Sequence, residues 1–316
     1  MRILITGGAG FIGSHLADRL IRNGHVVRII DNLLTGKEEN IHPETRWNVA
    51  DDLQSHKRLY AEVRGFDVVI HAAASYDDNS FWTRDAFTNV YGTAQVLRHI
   101  KEHWSNMVDH RHARLIYFQT SLCYGPPQTT PITLNHPINP KTSYAITKTA
   151  AEQFIQMSGL DFVSFRLCNV YGPRNLSGPI PTFFKRLTEG KPCYVTDTYR
   201  DFVYIDDLVD IVMQAVDGRG HGVYHVSSGR DISIKEVYDT VSECLGMNVP
   251  VEVRPMGKDD VPTILLDPLE TIQEFAWMPT VDLKTGIGKA VEWYKEHGVG
   301  ETYTHLRMDD ATTGLS

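Results

Sequence analysis

The sequence predicts an α/β protein: a doubly wound parallel sheet with helices on both faces, joined to a smaller, mainly C-terminal α/β unit. Three observations carry this. Apolar strand-like runs alternate with helical stretches through the first half of the chain, which is the rhythm of parallel strands linked by helical crossovers. The first run breaks at once into a glycine turn followed by an amphipathic stretch. The polar or small residues Gly7, Asp31, Ala72, Thr120 and Asn169 all fall at the carboxyl ends of runs, where open parallel sheets bind ligands.

The first element is RILIT, and it leads into ILITGGAGFIGSH, residues 3 to 15, with glycines at 7, 8, 10 and 13. In such a turn Gly7 makes the tight bend, Gly10 admits a pyrophosphate close to the backbone, and Gly13 lets the helix pack on the sheet. Phe11, Ile12, Leu16 and Leu20 space the helix that follows, and its N-terminal N–H groups and dipole favour an anion. The next strand, HVVRIID, ends in Asp31, 18 positions after Gly13, where an acid is expected to take the adenosine ribose hydroxyls. The pattern is a Rossmann-type dinucleotide site. An aspartate there repels a 2′-phosphate, and Lys37 is the only cation close by, so NAD is favoured over NADP.

Three further strands are expected in FDVVIHAAA from Phe66, ARLIYFQTS from Ala113 and LDFVSFRLCNV from Leu160. Between Gly125 and Lys141 the chain is proline-rich and reads as an irregular loop. His110 and His112 lie in a polar stretch without a suitably spaced carboxylate or cysteine, and read as solvated. After Tyr171 come a Gly-Pro-rich turn, a basic helix near Lys185, short strands, and helices near Ile234 and Ala290; GVYHVSS from Gly222 is expected back in the main sheet. The expected division is a dinucleotide domain over 1–168 with a return around 198–230, a substrate domain over 169–197 and 231–305, and a loose tail over 306–316.

Composition excludes several classes. A net charge of −8 without a Lys/Arg run argues against nucleic-acid and membrane partners. The four cysteines are scattered, with no C-x-x-C, so neither a metal site nor a redox pair is indicated. The chain opens on its first strand, and no apolar run approaches the roughly 20 residues of a membrane span; the expected location is cytoplasmic.

Tyr144 and Lys148 stand one turn apart in SYAITKTAAEQF, a helical stretch in which they share a face. The pair suits a proton-transferring phenol and an ammonium that favours its ionised form. The same spacing also occurs in ordinary helices. Here it gains weight from the cofactor turn upstream and from the hydroxyl-bearing strand end Thr120-Ser121.

With the glycines at 7, 10 and 13, Asp31-Asn32, Asp52-Leu53, HAAA from His71, NVYGT from Asn89, TSLCYG from Thr120, RLCNVYGPR from Arg166 and RDFVYIDD from Arg200, the chain resembles the extended short-chain dehydrogenase/reductases that act on nucleotide sugars. The resemblance implies that Tyr144 is the acid/base on a sugar hydroxyl, that Lys148 holds the nicotinamide ribose and lowers the tyrosine pKa, and that Thr120 bonds the reacting oxygen. It implies cofactor contacts from Gly7, Gly10, Phe11, Ile12, Gly13, Asp31, Asn32, Thr35, Gly36, Ala72, Ala73, Ala74 and Asn89, with Asp52 and Leu53 at the adenine. It implies substrate contacts from Ser121, Asn169 and Arg200, the last two at the diphosphate, and a homodimer through the helices near Asp85 to His103 and Tyr144 to Met157.

The residues after the catalytic hydroxyl sort reactions in this family: 4,6-dehydratases carry Asp-Glu and decarboxylases a Glu second, whereas this chain has Ser121-Leu122. Leucine moves no proton. The implied reaction is 4-epimerisation of a nucleotide sugar, a UDP-sugar by expectation, through transient oxidation at C4; Ala72 to Ala74 leave room for a keto sugar to turn. The alternatives are a dehydratase, decarboxylase or 4-keto-sugar reductase of the same family, and, outside catalysis, an NAD(H)-sensing regulator. The family's phosphate-gripping arginine is replaced by Gly257, with Lys258 or Arg254 as substitutes, and the segment before Arg200 is shortened to VTDTY. FQTSLCYG, ILLDP and YTHLR are similar to a subgroup of epimerase/dehydratases from bacterial surface-polysaccharide clusters, implying a uronic or amino sugar.

Overall fold

Successive side chains on a strand face opposite ways, and in β1 (Arg2–Thr6) Ile3, Leu4 and Ile5 are all fully buried. Both faces of the sheet must therefore be covered. On the Ile3–Ile5 face lies α1 (Phe11–Arg22), through Leu16 and Leu20. On the Leu4 face lie the Thr93–Trp104 helix, through Val96 and Ile100, and the Ser143–Gln156 helix, through Ala151 and Ile155. These facts come from a computed structural model, which describes residues 1–49, 65–76, 82–104, 113–256 and 261–302.

The other strands are β2 (Val26–Asp31), β3 (Arg46–Val49), β4 (Val68–His71), β5 (Arg114–Thr120) and β6 (Phe162–Leu167). With the Gly222–Val226 strand they form one seven-stranded sheet in the order β3, β2, β1, β4, β5, β6, Gly222–Val226, every pairing parallel. The chain steps outward from β1 to β3 and restarts on the other side of β1 with β4. Winding reverses there, so the connections leaving β1 and β4 diverge and open a crevice at their carboxyl ends.

The sequence runs are longer than the strands. Only Val68–His71 of FDVVIHAAA is strand, and LDFVSFRLCNV divides into β6 and a separate Asn169–Tyr171 strand paired with Phe202–Tyr204. The edge strand β3 is not among the runs read from sequence; its residues Arg46 to Val49 carry no long apolar pattern. The helix from Trp82 to Trp104 contains a π-helical stretch, Ala86–Gly92.

The later part of the chain forms small sheets, in which Tyr199–Arg200 pairs with Ile232–Ser233 and Thr263–Ile264, and Tyr194–Thr196 pairs with Glu252–Arg254. The helices Pro179–Thr188, Ile234–Cys244 and Leu283–His297 pack on one another. Aromatic contacts hold them, Phe183 on Tyr238 and Phe184 on Tyr294, each with ring centroids 5.2 Å apart. Among the described residues no helix is long and apolar enough to cross a membrane, and no cluster of metal-ligating side chains occurs.

Candidate active site

A cavity of about 350 Å³ lies over the crevice between β1 and β4. Gly7, Gly10, Phe11, Ile12, Gly13, Asp31, Asn32, Thr35, Ala72, Ala73 and Ala74 line it. Gly7 has φ +72°, and a Cβ there would stand 2.6 Å from the Ala73 nitrogen; at Gly13 a Cβ would run into the Gly7 carbonyl and stand 2.8 Å from the Gly8 Cα. Neither position accepts a larger residue. The α1 N-terminus carries no side-chain cap and no acid in its first turn, which leaves its N–H groups and dipole for an anion. At the end of β2, the Asp31 carboxylate accepts the N–H of Ala9 at 2.9 Å and of Leu33 at 2.8 Å. Burial raises its pKa, and those two donors oppose the shift. Gly36 sits outside the lining, where a Cβ would meet the Asp31 carboxylate at 2.8 Å. Asp52 and Leu53 lie outside the described residues, as do His110, His112, Gly257, Lys258 and the expected tail.

Thr120, Tyr144, Lys148 and Asn169 line the same cavity. Thr120 ends β5, and its hydroxyl caps the following turn by accepting the Leu122 N–H at 3.2 Å. Lys148 is buried with its Nζ 4.0 Å from the Tyr117 ring centroid. The ring face attracts the ammonium, but burial lowers the lysine to about 7, and Glu152 one turn on opposes this. The phenol of Tyr144 behaves differently from the expectation. In the protein alone burial pushes it above its ordinary range, with Tyr76 and Asp85 adding to the shift, so the resting form is the protonated phenol. Asn169 is exposed to the cavity and donates to the Asp201 carbonyl at 3.1 Å.

Asn89, Ser121 and Arg200 are not among the cavity-lining residues. Asn89 is buried in the π-helical stretch, where it accepts the Ser75 N–H at 2.9 Å and donates to the Ser75 carbonyl and the Thr147 hydroxyl, each at 3.0 Å. It ties the loop after β4 to the helix of Tyr144 and Lys148. Ser121 is buried in the one-turn helix that Thr120 caps. Arg200 donates to its own neighbour's carbonyl at Tyr199, at 2.6 Å, and to that of Pro262. Arg254, exposed, stacks over Tyr194 at 4.0 Å and pairs with Glu252.

His71 adds a second tie. Thr93 Oγ1 donates to the Asn89 carbonyl at 2.6 Å, so at 2.9 Å it must accept from His71 Nε2–H. His71 Nδ1 then accepts the Thr6 hydroxyl at 2.6 Å, and Thr6 accepts the Ala73 N–H. The relay is complete only for a neutral imidazole, and burial, with the Lys148 charge, holds His71 down at about 3. Sequence reading picked the HAAA motif but not this function. It also missed the opposite wall, where Arg174 to Ile180 and Trp293 line the cavity; Arg174, at φ +66°, pairs with Asp18 at 2.8 Å. The signal available for Arg174 to Ile180 was the Gly-Pro-rich turn YGPRNLSGPIP; none pointed to Trp293.

A phosphate-ready helix end, an acid at the next strand end and a Tyr-x-x-x-Lys helix around one cavity define a Rossmann-type dinucleotide-dependent enzyme. The profile of the NAD dependent epimerase/dehydratase family matches residues 3–227, and the chain belongs to that family, with NAD as its cofactor. The UDP-glucose 4-epimerase of Mycolicibacterium smegmatis is 31% identical, over 93% of this chain and 99% of its own. The Bordetella bronchiseptica enzyme WbmH in complex with NAD+ superposes with a TM-score of 0.87 at 44% identity, covering 94% of this chain and 99% of that one. WbmG of the same organism, in complex with NAD and UDP, gives 0.86 at 41% identity, over 96% and 97%.

Proposed function

We propose that the protein is a 4-epimerase of a UDP-sugar. The observation that carries this is the convergence of Thr120, Tyr144 and Lys148 on the cavity that the glycine turn opens, while Leu122, where related dehydratases and decarboxylases carry an acid, packs against the core. UDP bound to WbmG and the activity of the mycobacterial relative support the nucleotide.

NAD held by the glycine turn and Asp31 would supply a hydride acceptor for the sugar C4 and, for the return step, a hydride donor. Tyr144 holds and returns the proton of the C4 hydroxyl, and Thr120 orients that oxygen through its own hydroxyl. Lys148 supplies the positive charge that favours phenolate, offsetting the burial that otherwise keeps Tyr144 protonated. The small side chains of Ala72 to Ala74 give the keto sugar room to turn, and Asn169 serves the diphosphate from the cavity wall; Arg200 joins it only by leaving the Tyr199 and Pro262 carbonyls. Incubation with UDP-hexoses, UDP-N-acetylhexosamines and UDP-uronates, followed by NMR of the products, tests the reading. Epimer pairs are expected; a dehydrated or decarboxylated product overturns it.

A homodimer completes the proposal. Trp82, Phe87, Tyr91, Ile146, Phe154 and Met157 are exposed large apolar side chains on two packed helices, Trp82 and Met157 at 71% and 75%. A second copy of the same two helices is the matching cover. Light scattering is expected to give twice the chain mass, and Phe87→Asp with Ile146→Glu a monomer.

A further inference from the structure

Strand β5 carries a buried side chain that the reaction above leaves unused. Gln119 is 1% exposed and lines the cavity. Its Oε1 accepts the Thr120 N–H at 2.8 Å. A backbone N–H only donates, so this contact settles which end of the carboxamide is oxygen. The Nε2 end has no hydrogen-bond partner among the described residues.

The face on which Gln119 stands follows from its strand. Side chains two residues apart share a face, and Tyr117 donates its hydroxyl to the Lys148 carbonyl on the Ser143–Gln156 helix at 3.2 Å. Arg166, the register partner of Gln119, pairs with Glu152 of that helix at 2.6 Å. Gln119 therefore stands on the side of the sheet that carries Tyr144 and Lys148, and it brings N–H donors there.

Buried amide donors are rarely left unpaired, and one at a cavity wall is complementary to an oxygen acceptor. We propose that Gln119 is a ligand-binding residue that donates from Nε2 to an acceptor oxygen of the molecule bound beside Tyr144 and Lys148. This rests on the nucleotide-sugar reading of the cavity. Two sources offer such an oxygen: a hydroxyl or carbonyl substituent of the sugar, and the carboxamide of the nicotinamide ring.

Two variants separate the donors from the Thr120 contact. Gln119→Glu keeps an oxygen for the Thr120 N–H and removes both donors; Gln119→Met removes donors and acceptor at similar volume. Binding is read by calorimetry, with NAD titrated into the protein and with UDP-glucose, UDP-N-acetylglucosamine and UDP-glucuronate titrated into the NAD-saturated protein. Loss of one such bond is expected to weaken binding about 3- to 10-fold in both variants. Weaker sugar binding with NAD unchanged places the acceptor on the sugar, and weaker NAD binding places it on the cofactor; both support the proposal. Variants within about twofold of the parent for every ligand overturn it. So does a crystal structure with NAD and a UDP-sugar bound in which no ligand oxygen lies within about 3.5 Å of Nε2. A sugar that is dehydrated rather than epimerised sinks the reaction above, yet the same isotherms still decide on Gln119.

Discussion

At the residue scale, Tyr144 and Lys148 show why spacing alone does not set reactivity. One turn of helix brings both to the cavity, yet burial moves both toward neutrality, the phenol upward and the ammonium down to about 7. A positive charge beside the phenol opposes its shift, the part proposed for Lys148 in its protonated form. Tyr144→Phe is therefore expected to lower kcat by about 10²- to 10⁴-fold while NAD stays bound, measured as turnover and as nucleotide released on denaturation. Glu152 has a structural duty besides its pull on Lys148: it neutralises buried Arg166, whose Nη1 also donates to the Tyr124 hydroxyl at 2.6 Å. Glu152→Ala strands that guanidinium and is expected to cost about 3–5 kcal/mol, read from urea unfolding.

At the element scale, the π-helical stretch Ala86–Gly92 holds Asn89 where its amide spans two elements, the loop at Ser75 and the helix at Thr147. π-Helical insertions within α-helices are frequent at functional sites. Asn89→Ala is expected to cost about 2 kcal/mol and to lower kcat/KM together with NAD affinity, checked by thermal melts and NAD titration. This also shows where the sequence was legible. The glycine turn, Asp31 and the Tyr144–Lys148 pair declare themselves because their geometry is local, set by one turn or one strand end. Asn89 was assigned to the cofactor, but its role depends on Ser75 and Thr147, 14 and 58 positions away. The resemblance put Ser121 among the substrate contacts, and the one-turn helix that Thr120 caps buries it. Gln119 and Trp293 gave no signal, since cavity walls are assembled by packing between distant segments.

At the scale of the whole molecule, two buried histidines tie stability to acidity. His225 donates from Nδ1 to the Asp267 carbonyl at 2.8 Å, and its Nε2 accepts the Tyr124 hydroxyl at 2.6 Å; burial holds it at about 4 and His71 at about 3. Below the ordinary imidazole value of 6.5 the unfolded chain binds protons that the folded one refuses, so stability present above that pH is lost as pH falls. Each histidine is expected to remove about 1.4 kcal/mol between pH 8 and 5.5, read as a falling urea midpoint, and His225→Gln to flatten the slope. The raised carboxyls of Asp31 and Asp201 act in the opposite sense nearer the carboxylate range. The seventh strand, which carries His225, also imposes an order in time. During synthesis β6 leaves the ribosome some 60 residues before Gly222–Val226, and until that strand arrives it offers a row of unpaired backbone groups to any neighbouring chain. A nascent chain paused in that interval is the form most exposed to aggregation.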